Sequence, residues 1–104
     1  MSMDIESVLK TMAGAGLGVL KTYPPELRAS FQAMLAEQRE DLALLGAARA
    51  AGEIDAVEFQ SELERSEKVL EVKLLTLEIE GKAAAQKMAE AACEAFRTAI
   101  KVLV

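Results

Sequence analysis

Two prolines, adjacent at positions 24 and 25, are the only residues in this chain that force a helix to stop. Proline disfavours helical geometry in the residue before it, yet it sits well in the first turn of a helix, where its missing N–H costs nothing. The pair therefore predicts one helix ending near Thr22 and a second starting near Pro25, with Glu26 complementing the dipole of the second. Everywhere else the residues favour helix: Ala, Leu, Glu, Lys and Arg make up 59 of the 104 positions. That composition is typical of long helices or coiled coils. The expected fold class is all-α, in a single helical domain spanning residues 1–104, with helix 1 over about 3–22 and helix 2 over about 25–51.

A second boundary is written in local chemistry. Gly52 suits the left-handed cap of a helix that carries Arg49 in its last turn. Asp55 is a good N-cap for the next helix, Glu58 stands at the third position beyond it, and Ile54 and Phe59 are spaced as a hydrophobic staple. A link this short makes helices 2 and 3 antiparallel neighbours. The stretch from Leu44-Leu45 through Gly52-Glu53-Ile54 to Glu58-Phe59 and Leu63 resembles the short helical hairpins of SHOCT type. That resemblance implies a helical hairpin and a role in assembly.

Beyond Asp55 only Gly81 interrupts the helical pattern, so helix 3 is expected over about 55–101, with Gly81 as a candidate hinge. Such a helix would be about 70 Å long at 1.5 Å per residue. Glu64–Lys68 and Glu78–Lys82 are spaced as supporting i,i+4 pairs. A seam of Phe59, Leu63, Ser66 and Leu70 continues as Leu77, Gly81, Ala84, Met88, Ala91 and Ala95 in alternating steps of four and three, with Lys73 or Leu74 needed to bridge the middle. A second stripe holds Val72, Leu75, Ile79, Ala83, Gln86, Cys93, Phe96, Ile100 and Leu103. Two stripes make the helix apolar over a wide arc.

Helix 2 is too short to cover the distal third of a straight helix 3, and helix 1, with Gly14, Gly16 and Gly18 set against Ala91, Ala92 and Ala95, cannot cover both stripes. The expected arrangement is therefore a long antiparallel helical hairpin plus an N-terminal helix, completed into a multi-helix bundle by oligomerisation. The candidate interface is Gly14, Gly18, Met88, Ala91, Ala92, Ala95, Phe96 and Ile100, and the expected unit is a homodimer or higher homo-oligomer.

Composition narrows the chemistry. The chain contains no His, Trp or Asn, and one Cys. No His-based triad, general base or zinc site can be built from it, and Cys93 alone cannot form an intramolecular disulfide. The run Gly14-Ala15-Gly16-Leu17-Gly18 has neither phosphate-loop spacing nor a preceding strand, so it reads as a close-packing helix face. Glu37, Glu40, Asp41, Glu58 and Glu62 read as a solvated face rather than a metal site, because helical di-metal centres pair Glu with His. Cys93 reads as a small buried hydrophobe, and Met12, Met34 and Met88 as adaptable packing residues. Gln38 and Arg39 fall where the apolar pattern of helix 2 lapses. No cofactor and no metal are expected.

The net charge is −5, and it is uneven: residues 1–36 sum to zero, 37–80 to −7 and 81–104 to +2. An acidic middle argues against nucleic acid, which needs a clustered cationic surface. No uncharged stretch approaches the ~20 residues of a membrane span, and Asp4 and Glu6 spoil a leader peptide, so a cytoplasmic location is expected. The sequence thus favours a non-enzymatic assembly or interaction protein, a scaffold, adaptor or small chaperone-like component. It would self-associate through its apolar ends, with an acidic hairpin free to meet a basic protein partner. The alternative is a peripheral membrane-surface protein that inserts helix 1 and the C-terminal end, with Lys10, Lys21, Lys82, Lys87, Arg97 and Lys101 at the headgroups.

Overall fold

The structure, a computed structural model, describes residues 4–77 and 81–103. All regular structure in them is helical: α1 (Ile5–Leu17), α2 (Pro25–Glu37), α3 (Arg39–Ala50), α4 (Ala56–Leu75) and α5 (Lys82–Leu103). The five helices fold into a bundle of 39 × 23 × 20 Å.

Each predicted long helix is shorter or divided. α1 begins behind Asp4, whose carboxylate accepts from the Ser7 N–H at 3.4 Å. It ends at Leu17 rather than near Thr22, where three glycines in five residues weaken the helix. The chain there tightens into a turn, with the Leu20 N–H donating to the Leu17 carbonyl at 3.0 Å. That turn brings Leu20 into the core.

Helix 2 starts at Pro25, as the sequence indicates, but is two helices joined at Gln38. Gln38 lies at φ −96°, ψ 3°, in the sparsely allowed bridge between regular conformations. It is buried, and its amide reaches the Ser66 carbonyl at 3.4 Å. A polar residue at an inward position therefore coincides with the interruption.

The hairpin link follows the sequence closely. Gly52 adopts φ +76°. Its N–H donates to the Arg49 carbonyl at 3.1 Å, and that of Glu53 to Ala48 at 2.9 Å, the paired bonds of a Schellman cap. Asp55 accepts from the Glu58 N–H at 2.8 Å, and Ile54 and Phe59 both join the core.

The largest departure lies at Gly81. It takes φ +95°, a left-handed geometry that costs an L-residue roughly 1–2 kcal/mol and glycine almost nothing. The expected 70 Å rod is two helices, since α4 has already ended at Leu75 and α5 starts at Lys82, and the backbone spans 39 Å along its longest axis. The two run antiparallel: Phe59, near the start of α4, stacks on Phe96, near the end of α5, with ring centroids 6.1 Å apart. Glu78 and Ile79 lie outside the described residues, and with them the Glu78–Lys82 pair. Glu64 accepts from Gln60 at 3.1 Å, and no Glu64–Lys68 bridge forms among the described residues.

Folding back at Gly81 resets the phase of the helix, so the second stripe is not one face. Its α4 members Val72 and Leu75 are exposed, and of its α5 members Cys93, Phe96 and Ile100 are buried, Leu103 is half-buried, and Ala83 and Gln86 are exposed. α1 lies chiefly along α5, and α4 flanks α5 from another side. The small inward residues Ala13, Ala85, Ala89 and Ala92 let the axes approach. The closest approach is at Gly16, where an added Cβ would stand 2.4 Å from the Phe31 ring and 3.2 Å from the Met88 carbonyl oxygen. Of Gly14, Gly16 and Gly18 only Gly16 points inward, and its nearest neighbours are Phe31 of α2 and the Met88 carbonyl rather than the expected Ala91, Ala92 and Ala95.

Candidate functional site

The expected interface residues fall into two groups. Met88, Ala92 and Phe96 are fully buried and Ile100 is 1% exposed, all within a single chain. Ala91 and Ala95 are half-buried, while Gly14 and Gly18 face solvent. The shortfall that called for a second copy assumed a straight helix 3. Once α5 turns back between α1 and α4, one chain encloses Met88, Ala92, Phe96 and Ile100 itself, while Gly14, Gly18, Ala91 and Ala95 keep part of their surface.

The surface that does remain apolar lies elsewhere. Among the described residues seven large apolar side chains are exposed, and five of them, Leu44, Val57, Val69, Val72 and Leu75, sit on α3 or α4. α3 is the least embedded helix: of its 12 residues only Leu42 and Gly46 are buried. Between α3 and α4 runs an open groove of about 720 Å³. Its floor is Leu44, Leu45, Ala48, Ile54 and Val69. Leu44 is 65% and Val69 44% exposed.

The rim of the groove is charged. Glu37 and Asp41 line it from the α2–α3 side, and Glu58 and Glu62 from α4. Its two cations are already engaged: Lys73 donates to Glu37 at 2.5 Å, and Arg65 lies 3.6 Å from Glu62. Asp41 and Glu58 have no cationic partner among the described residues. The Lys73–Glu37 bridge and the Gln38–Ser66 bond tie the α2–α3 junction to α4 along this face.

Inside the bundle the ionisable groups near Cys93 are tuned for silence. Burial pushes the Cys93 thiol up to about 12, with Glu67 adding and Arg97 opposing, so it stays protonated and unreactive at neutral pH. Glu67 is held above the usual carboxylate range, first by burial and then by Glu90. Arg97 pairs with Glu94. A second depression, about 470 Å³, is lined by Arg49, Arg97 and Lys101 over Phe59 and Ile100, but both floor residues are almost wholly buried.

Among the described residues no three Cys, Asp or Glu side chains converge as a metal site. No described helix is long and apolar enough to cross a membrane. Lys10, Lys21, Lys82, Lys87 and Lys101 are exposed, but the large apolar residues of α1 and α5 other than Val102, which is 80% exposed, point into the bundle. Shallow insertion would require both helices to turn those faces outward.

The α3–α4 surface was partly visible in the sequence as the Leu44-Leu45 pair and the acidic run around it. What concealed it was the expectation of one continuous helix 3, whose two apolar stripes are both covered by oligomerisation. The chain matches no protein-family model, no curated protein and no solved structure. Its likeness to SHOCT hairpins therefore rests on the chemistry of the Leu44–Leu63 turn alone.

Proposed function

We propose that this chain is a non-enzymatic helical interaction protein whose docking surface is the groove between α3 and α4. The observation that carries the reading is the exposed floor formed by Leu44, on the helix with the fewest buried residues, and Val69 of α4. Fully burying a Leu or Val side chain contributes about 1.5–3 kcal/mol. A fold that seals Phe96 and Met88 while leaving Leu44 in water keeps that free energy for a second molecule. Met88, Ala92, Phe96 and Ile100, which the sequence assigns to self-association, are buried within one chain, so assembly through those four side chains would have to open the bundle.

Site-specific photocrosslinking tests the reading. A crosslinker at position 44 of the full chain, expressed in cells, is expected to give a discrete adduct that disappears when Val69→Asp is added. The same crosslinker at position 10, on the exposed side of α1, is expected to give none. Equal adducts at both positions, or an adduct at 44 that survives Val69→Asp, contradicts the proposal.

A further inference from the structure

We infer that the occupant of the α3–α4 groove is a single amphipathic helix of a basic partner, with an apolar ridge flanked by Lys and Arg. This rests on the docking reading above and adds the partner's chemistry. Three observations define it.

First, the floor is a strip of branched aliphatic side chains, Leu44, Leu45, Ile54 and Val69, with no aromatic ring and no open hydrogen-bonding edge. Helices satisfy their own backbone, so an aliphatic strip between two helices accepts a third helix through side chains alone, read at i, i+3, i+4 and i+7. α3 has 12 residues, or about 18 Å at 1.5 Å per residue, so the fitting segment is about 12–14 residues long.

Second, the rim selects the sign of the partner. Lys73 and Arg65 are consumed by Glu37 and Glu62, which leaves the Asp41 and Glu58 carboxylates on opposite walls. The field behind them has the same sign, because residues 37–80 carry −7. A helix with Lys or Arg on both flanks of its apolar ridge would meet one carboxylate on each side. Charge complementarity of this kind sets specificity and association rate.

Third, the same charges disfavour a second copy. Two such grooves brought face to face would set Asp41 and Glu58 against one another's counterparts, and like charges across an interface are costly.

The test uses the full chain and three synthetic helical peptides of about 14 residues, sized to the groove. One carries a Leu ridge with Lys and Arg flanks, the second the same ridge with Glu flanks, and the third the basic flanks with Ser in place of Leu. Binding is measured by calorimetry and mapped by amide chemical shifts. The basic amphipathic peptide is expected to bind at least about tenfold more tightly than the acidic one, and to weaken on raising salt to about 0.5 M. Shifts are expected around Leu44 and Val69. Asp41→Asn with Glu58→Gln should narrow the gap between the two Leu peptides without changing the fold.

Equal binding of the two Leu peptides overturns the inference about charge while leaving the groove as a docking surface. Binding by the Ser peptide as strong as by the basic Leu peptide, or no binding by any peptide, sinks the inference and the docking reading together. A concentration-dependent dimer whose contacts map to Leu44 and Val69 also overturns the basic-helix assignment, in favour of a second copy.

Discussion

The α1–α5 half and the α3–α4 half are built from the same few residue types, yet they reach opposite ends. In the first, Met12, Leu17, Met88, Phe96 and Ile100 are all within 1% of complete burial, and small residues bring the helix axes together. In the second, Leu44, Val69 and Val72 stay in water while the acidic residues crowd around them. The difference teaches that overall apolarity does not identify a binding surface. The greasier segment, residues 82–103, is the one the fold needs for itself, and the mixed acidic segment is the one it leaves available.

The contrast can be broken by substitution. The largest effect is expected at Phe96→Ala, which empties the centre of the sealed half and removes the stack on Phe59; a loss of about 3–5 kcal/mol should be seen by urea denaturation. Leu44→Ala in the same assay should change stability by less than about 0.5 kcal/mol, as at an exposed site. Similar losses at the two positions would erase the distinction between the halves.

Gly16→Ala probes how tightly α1 packs against Phe31 of α2 and the Met88 backbone of α5. Its methyl group would run into the buried Phe31 ring and the Met88 backbone, and overpacking of this kind costs about 1–3 kcal/mol. An unchanged or raised melting temperature would mean that the α1–α5 contact is looser than described. Ala at Gly14, where nothing stands within 4 Å, serves as the control and should not destabilise.

The smallest effect is expected at Glu67→Gln. The carboxyl pKa of Glu67 is raised by burial and by Glu90, so folding disfavours its ionised form relative to the unfolded chain. Its contribution to stability is therefore complete below the unfolded-state pKa and is lost as pH rises through the higher folded value. Gln should stabilise the protein at pH 7 by no more than about 0.5 kcal/mol, the range for a site of this exposure. The gain should vanish in acid below the ordinary Glu range. A loss of stability at pH 7 would assign Glu67 an attractive role, most simply toward Arg97.

Local chemistry made several elements legible before any coordinates. Pro25 opens a helix, Gly52 closes one, Asp55 opens the next, and each does so through interactions within a few residues. The bends at Gln38 and Gly81 were harder to read. Gln38 has no intrinsic power to break a helix, and its burial against α4 is a tertiary fact. Gly81 is compatible with both a continuous helix and a reversal, and the choice depends on whether α5 finds better cover against α1 and α4 than in a second chain. The candidate surface inherited that ambiguity. With a straight helix 3, Phe96 and Ile100 point outward and demand a partner, whereas with a reversal at Gly81 they become core, and Leu44 and Val69 are what is left.

The claim that one chain seals its own C-terminal helix is tested most directly by amide hydrogen exchange across α5, followed on dilution to concentrations where light scattering reports a mass of 11.2 kDa. The expected result is protection of the Met88, Ala92 and Phe96 amides that stays constant with concentration and tracks global unfolding. Protection that falls away as the protein is diluted would contradict it, because the cover over α5 would then have come from another molecule.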